Sequence, residues 1–90
     1  MPRKKIEKPT TRKGENIAEA EPGDYCYYLS TSNKPMFAEI IKVMTENDIL
    51  VFQVICQAEY KWMHLPASIC AFDEKELKGK KRSELYPRLK

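Results

Sequence analysis

Residues 49–57 read ILVFQVICQ, an almost unbroken apolar run in a chain of 90 residues. Its length and its β-branched and aromatic content point to a strand. The lack of alternation predicts a central strand, covered on both faces. Short domains bury a smaller share of their surface than long ones, so the rest of the chain has to provide that cover from limited means.

On the N-terminal side, Pro22-Gly23-Asp24 punctuates the chain and DYCYYLS follows. Period-2 alternation puts Tyr25, Tyr27 and Leu29 on one face of this strand and Cys26 and Tyr28 on the other. TSNKP is a loop of turn formers. Met36 to Met44, MFAEIIKVM, is the next strand, and TEND is a tight connection into the apolar run. Beyond that run AE turns the chain, and YKWMHL sets Tyr60, Trp62 and His64 against Lys61, Met63 and Leu65. Pro66 breaks the pattern, and ASICAF gives one 3-10 turn or a short closing strand, or the two in sequence.

About five short strands are too few for a two-layer sandwich. They close most economically as a small, strongly bent barrel, which removes exposed strand edges. The expected fold is therefore mainly β, a five-stranded barrel over residues 22–72. Residues 1–21 offer little to offset ordering entropy and read as a disordered basic tail. Residues 73–90 start a short helix at Asp73, a good N-cap, which Gly79 ends ahead of a basic tail.

Gly23-Asp24 followed by an aromatic, then MFAEIIKV, DILVFQVI and YKWMHLPASICAF, resemble the successive strands, with a 3-10 turn before the last, of an SH3-like barrel, specifically of the Tudor group. The resemblance covers Pro22 to about Phe72 and leaves both ends unaligned. It implies a binding module, since Tudor-type domains commonly hold methylated lysine or arginine in an aromatic cage. Carried over, the cage falls on Tyr25 or Tyr27, Phe37 and Phe52. After Phe52 the chain departs from the family, continuing QVICQAEY where an acidic or glycine-rich turn is usual.

So small a barrel has no room for all of its rings inside. Tyr25, Tyr27, Tyr28, Phe37, Tyr60 and Trp62 are the candidates for a partner-binding face, with Tyr28, Phe37 and Trp62 expected at the surface and Phe52 in the core. Exposed rings stack bases and attract cations; the plainer alternative is that they cap the barrel with their polar tips in water.

Charge narrows the ligand. Residues 1–20 carry six Lys or Arg against three Glu, residues 21–72 three Lys against six acids, and residues 73–90 seven Lys or Arg against four acids. An acidic centre favours a basic peptide or a positively charged protein face. Nucleic-acid contact falls instead to the tails, to Arg3, Lys4 and Lys5 and to Lys78, Lys80, Lys81 and Arg82, in a salt-sensitive and sequence-independent mode.

Three cysteines and a single histidine lack the short ligand spacing of a zinc site, so Cys26, Cys56 and Cys70 read as reduced, buried thiols. There is no phosphate loop, H-E-x-x-H or G-x-S-x-G, so neither metal nor cofactor nor catalysis is expected. The charged N-terminal stretch has no apolar segment behind it, and no run reaches the ~20 residues of a membrane helix. An intracellular protein of cytoplasm or nucleus is expected. The leading expectation is a non-enzymatic protein-protein adaptor. A nucleic-acid-binding protein of a transcription or ribosomal assembly is the alternative, and a structural homo-oligomer subunit a third.

Overall fold

A computed structural model describes residues 11–86. Five antiparallel strands form one sheet in the order β4-β3-β2-β1-β5. They are β1 (Tyr25–Leu29), β2 (Pro35–Glu46), β3 (Ile49–Cys56), β4 (Lys61–Pro66) and β5 (Cys70–Ala71), with a 3-10 turn, Ala67–Ile69, between the last two. The chain is mainly β, and the apolar run is indeed the strand β3, paired on both edges.

The hairpin between β2 and β3 is tighter than the sequence suggested. Glu46 pairs with Ile49, so only Asn47 and Asp48 turn the chain. Both adopt positive φ, 52° and 64°, the two left-handed positions of a type I′ turn, which Asn and Asp tolerate better than most residues. Thr45 and Glu46 therefore belong to β2 rather than to a loop. Further along β2 the register slips between Ile40 and Lys42, which leaves Ile41 as a bulge and bends the sheet.

The bend does not close a barrel. Among the described residues β5 pairs only with β1, and β4 only with β3. The expected ring of ladders is thus an open, curled sheet. Pro66 ends β4 without an N–H to donate, the chain then coils into the 3-10 turn, and β5 is two residues long. Ile69 fills the gap from inside that turn, fully buried.

The concave side of the sheet holds the core. Phe52, Val54 and Cys56 of β3 meet Ala38 and Ile40 of β2, Cys26 and Tyr28 of β1, and Leu65 of β4. Tyr28 belongs here and not at the surface: it is only 4% exposed, in phase with buried Cys26 and opposite buried Cys70. Both faces of β1 carry tyrosine, so alternation alone left open which one turned inward.

Residues flanking the strands complete the packing. Residues 11–21 pack against the sheet instead of forming the expected tail: Ala20 is buried in the core, and Asn16 caps the 3-10 turn Ile17–Glu19 with its side-chain oxygen. Arg12 donates from Nη1 to Asp24 Oδ2 at 2.7 Å and from Nη2 to Glu15 Oε1 at 2.6 Å. Thr11 donates from its hydroxyl to the Phe72 carbonyl. On the other side, Asp73 caps a 3-10 turn (Glu74–Glu76) in place of the expected helix, Leu77 is buried, and Gly79 turns the chain at φ +78°. A single helical turn, α1 (Arg82–Leu85), follows. No helix among the described residues is long and apolar enough to cross a membrane.

Candidate functional site

The convex side of the sheet is built from the other set of alternating positions. Residues directly opposite across a ladder point to the same face. Tyr25 pairs with Glu39, Glu39 with Ile55, and Ile55 with Trp62, so these four form one row across β1, β2, β3 and β4. Three strand spacings make that row about 14 Å wide. Tyr27 pairs with Phe37 beside it, and Lys42, Gln53 and His64 form the row on the far side.

Three rings of this face touch. Tyr25 and Phe37 stack with centroids 5.3 Å apart and planes 7° from parallel, while Tyr27 meets Phe37 edge-on, also at 5.3 Å. All three are half-buried. Trp62, on the edge strand, is 57% exposed. Ile55 lies half-exposed between the rings and the indole.

The central strand was expected to be covered on both faces, and it is not. Phe52, Val54 and Cys56 are fully buried on the concave side, whereas Ile49, Gln53 and Ile55 on the convex side remain partly open. Only Val51 in that convex series is buried; it and Ile49 line a small depression with Pro66, His64 and Tyr86. The apolar content of β3 thus exceeds what the described residues cover.

The sequence candidates separate accordingly. Tyr25, Tyr27, Phe37 and Trp62 share the convex face. Tyr28 is in the core. Tyr60 is 82% exposed, but it sits in the turn before β4 at φ 53°, out of the alternation assigned to it. Phe52 is buried on the opposite side from Tyr25 and Phe37 and cannot complete a cage with them. The close stacking of Tyr25 on Phe37 also leaves no gap between those two rings for a cation to enter. Lys78, Lys80 and Lys81 are exposed, and Arg82 is half-buried with its guanidinium 5.3 Å from the centre of the Tyr86 ring. Arg3, Lys4 and Lys5 lie outside the described residues. Sequence reasoning overlooked Ile55 as a member of the face, because a continuous apolar strand hides which of its residues are left uncovered.

The thiols are placed for packing. Cys26, Cys56 and Cys70 are free and buried. The neighbouring Cys26 thiol, and then burial, raise the Cys70 pKa, which keeps its thiol protonated and a poor nucleophile. Burial, and then the Cys56 thiol, raise the Tyr28 phenol as well. His64 is exposed on the convex face, and no cluster of three or more His, Cys, Asp or Glu forms among the described residues.

Compared with known proteins, the chain matches no family model, no curated protein and no solved structure.

Proposed function

We propose that the chain is a non-enzymatic binding module that docks a basic peptide segment, or a positively charged protein surface, on its convex aromatic face. The observation that carries this is the uncovered side of β3: Ile55 between Tyr25, Glu39 and Trp62, in a strand whose sequence is apolar on both faces. Glu39 gives the row its charge. It stands between the Tyr25 ring and Ile55, and both ion pairs among the described residues belong to Arg12 rather than to any cation near it. A lysine or arginine laid across the rings would meet π-faces and a carboxylate together, with each cation–ring contact contributing about 0.5–2 kcal/mol. Such recognition takes place on an open, convex surface, which differs from enclosure in a cage.

The SH3-like, Tudor-related reading of the fold draws support from the strand meander and from the 3-10 turn between β4 and β5, where the resemblance placed it. The open ladder between those strands sets this chain apart from a closed member of that group.

Trp62 is the one tryptophan of the sequence and lies on the proposed face, so its emission reports occupancy directly. Titration with a short arginine- and lysine-rich peptide should give a saturable change in that emission, lost in Glu39→Lys. An unchanged response in Glu39→Lys, or a wild-type chain that dimerises through this face instead, contradicts the proposal.

A further inference from the structure

The mouth of the curled sheet presents a second and chemically opposite surface. Between the β1–β2 loop, the β3–β4 turn and α1 lies an open cavity of about 420 Å³, within the roughly 300–1,000 Å³ usual for ligand clefts. Lys34, Lys61 and Arg82 reach it from three separate elements, and Glu59 is the only acid among the described residues that line it. Tyr28 and Met63 contribute from the concave face, and Ser30, Thr31 and Ser32 add hydroxyls from the loop. None of the three cations is in an ion pair within the described residues, where both pairs belong to Arg12.

The cradle is held in shape. Ser30 Oγ accepts from the amides of Ser32 and Lys34, its own amide bonds the Lys34 carbonyl at 2.9 Å, and Asn33 turns the loop at φ 62°. Asn33 Oδ1 in turn accepts from the Arg82 amide at 2.8 Å, which fixes the start of α1 against the loop. Ser68 donates from its hydroxyl to the Leu85 carbonyl at 2.6 Å and pins the other end. Three cations held around one concavity carry mutual repulsion that an anion would relieve.

We infer that this mouth binds the phosphate backbone of a single-stranded nucleic acid. A free phosphate accounts for the cavity alone, but polar and aromatic groups continue past it. Arg82 also lines a second depression, with Asn33, Ser83 and Tyr86, and Lys78, Lys80 and Lys81, all exposed, precede α1 in the chain. Tyr60, 82% exposed, lies in the chain between the lining residues Glu59 and Lys61 and offers an open ring on which a base can stack. Three cations around one concavity, with a free ring beside it, suit a flexible single strand better than a stiff duplex. This site is separate from the convex face and does not rest on it.

The test is fluorescence anisotropy of a labelled oligothymidylate with the full chain across a range of salt. Lys34→Ala with Lys61→Ala is compared with wild type and with Lys42→Ala, an exposed cation on the convex face. Loss of two phosphate contacts should lower the slope of log K against log salt by about 1.4, and affinity near 50 mM salt by roughly tenfold or more. Lys42→Ala should change neither by more than about a third of that. Lys34 and Lys61 are exposed, so both variants should keep the wild-type circular dichroism. Tyr60→Ala should weaken binding and leave the salt slope intact. Equal losses in the double variant and Lys42→Ala, after scaling for charge, would overturn the site in favour of net charge alone. Absence of binding by the wild-type chain, or stronger competition by a phosphoserine peptide than by unlabelled oligothymidylate, would overturn it too.

Discussion

Tyr25 and Phe37 lie face to face on the convex side of the sheet, their ring centres 5.3 Å apart and their planes within 7° of parallel. They are diagonal neighbours rather than direct partners, since Tyr25 pairs with Glu39 and Phe37 with Tyr27. The stack therefore ties two rows of the face together. It makes Phe37 part of the fold and part of the surface at once.

Stability should distinguish the two sides of the sheet. Phe52→Ala empties a fully buried site and should cost about 3–5 kcal/mol. Phe37→Ala removes a half-buried ring and two aromatic contacts, each worth about 0.5–1.5 kcal/mol, so its cost should be intermediate. Trp62→Ala, on an exposed edge position, should stay near ±0.5 kcal/mol. Urea denaturation of the three variants checks the order, and a Trp62 variant as damaged as the Phe52 variant contradicts the assignment.

Alkaline pH should weaken the fold through Tyr28 and Cys70. Both are neutral when protonated, and both have pKa values raised in the folded state. Their contribution is complete below the unfolded values, about 8.5 for cysteine and 10 for tyrosine, and is lost as pH rises beyond them toward the folded values. Tyr28→Phe keeps the ring and removes the phenol, so its urea midpoint should decline less steeply than wild type above about pH 10. Parallel declines would show that the phenol is not the titrating group.

At the acid end the relevant contact is Arg12 with Glu15. The hydrogen bond from Arg12 lowers the Glu15 pKa. Its contribution is therefore present above the unfolded value of about 4.3 and disappears as pH falls through the folded one. Arg12→Ala should be less stable than wild type at neutral pH and approach it in acid. Because Arg12 also holds Asp24 and lies 5.4 Å from the centre of the Phe72 ring, amide exchange should quicken in residues 11–21 of that variant.

The β2–β3 turn gives a gain-of-stability prediction. Asp48 sits at φ +64° in the second position of a two-residue type I′ turn, where glycine is preferred. Asp48→Gly relieves a left-handed conformation that costs an L-residue about 1–2 kcal/mol. The larger unfolded-state entropy of glycine offsets this in part, so the chain should gain stability modestly. A loss of stability would argue for a longer connection with Thr45 and Glu46 outside the strand.

Much of the fold was legible in the residues. The unbroken run from Ile49 marked the central strand, the alternation of Trp62 and His64 against Met63 and Leu65 gave β4 its two faces, and Pro66 gave its end. Other features depend on partners distant in sequence. Ile17 and Ala20 are too few to announce a packed segment, yet the latter is buried in the core beside strands that sequence alone does not bring near. Tyr28 and Tyr25 are chemically alike, and the cross-strand neighbours of β1 decided which faced inward. Lys34, Lys61 and Arg82 lie on three elements and become one lining only once the sheet curls. Closure into a barrel followed from an economy of edges, but the short β5 left those edges unjoined.

The most direct measurement is an amide chemical-shift map of the labelled chain during titration with an arginine- and lysine-rich peptide. Saturable shifts should cluster at Tyr25, Phe37, Glu39, Ile55 and Trp62, across four strands of the convex face. Shifts confined to the Lys34, Lys61 and Arg82 mouth, or no shifts at all, would contradict docking on that face.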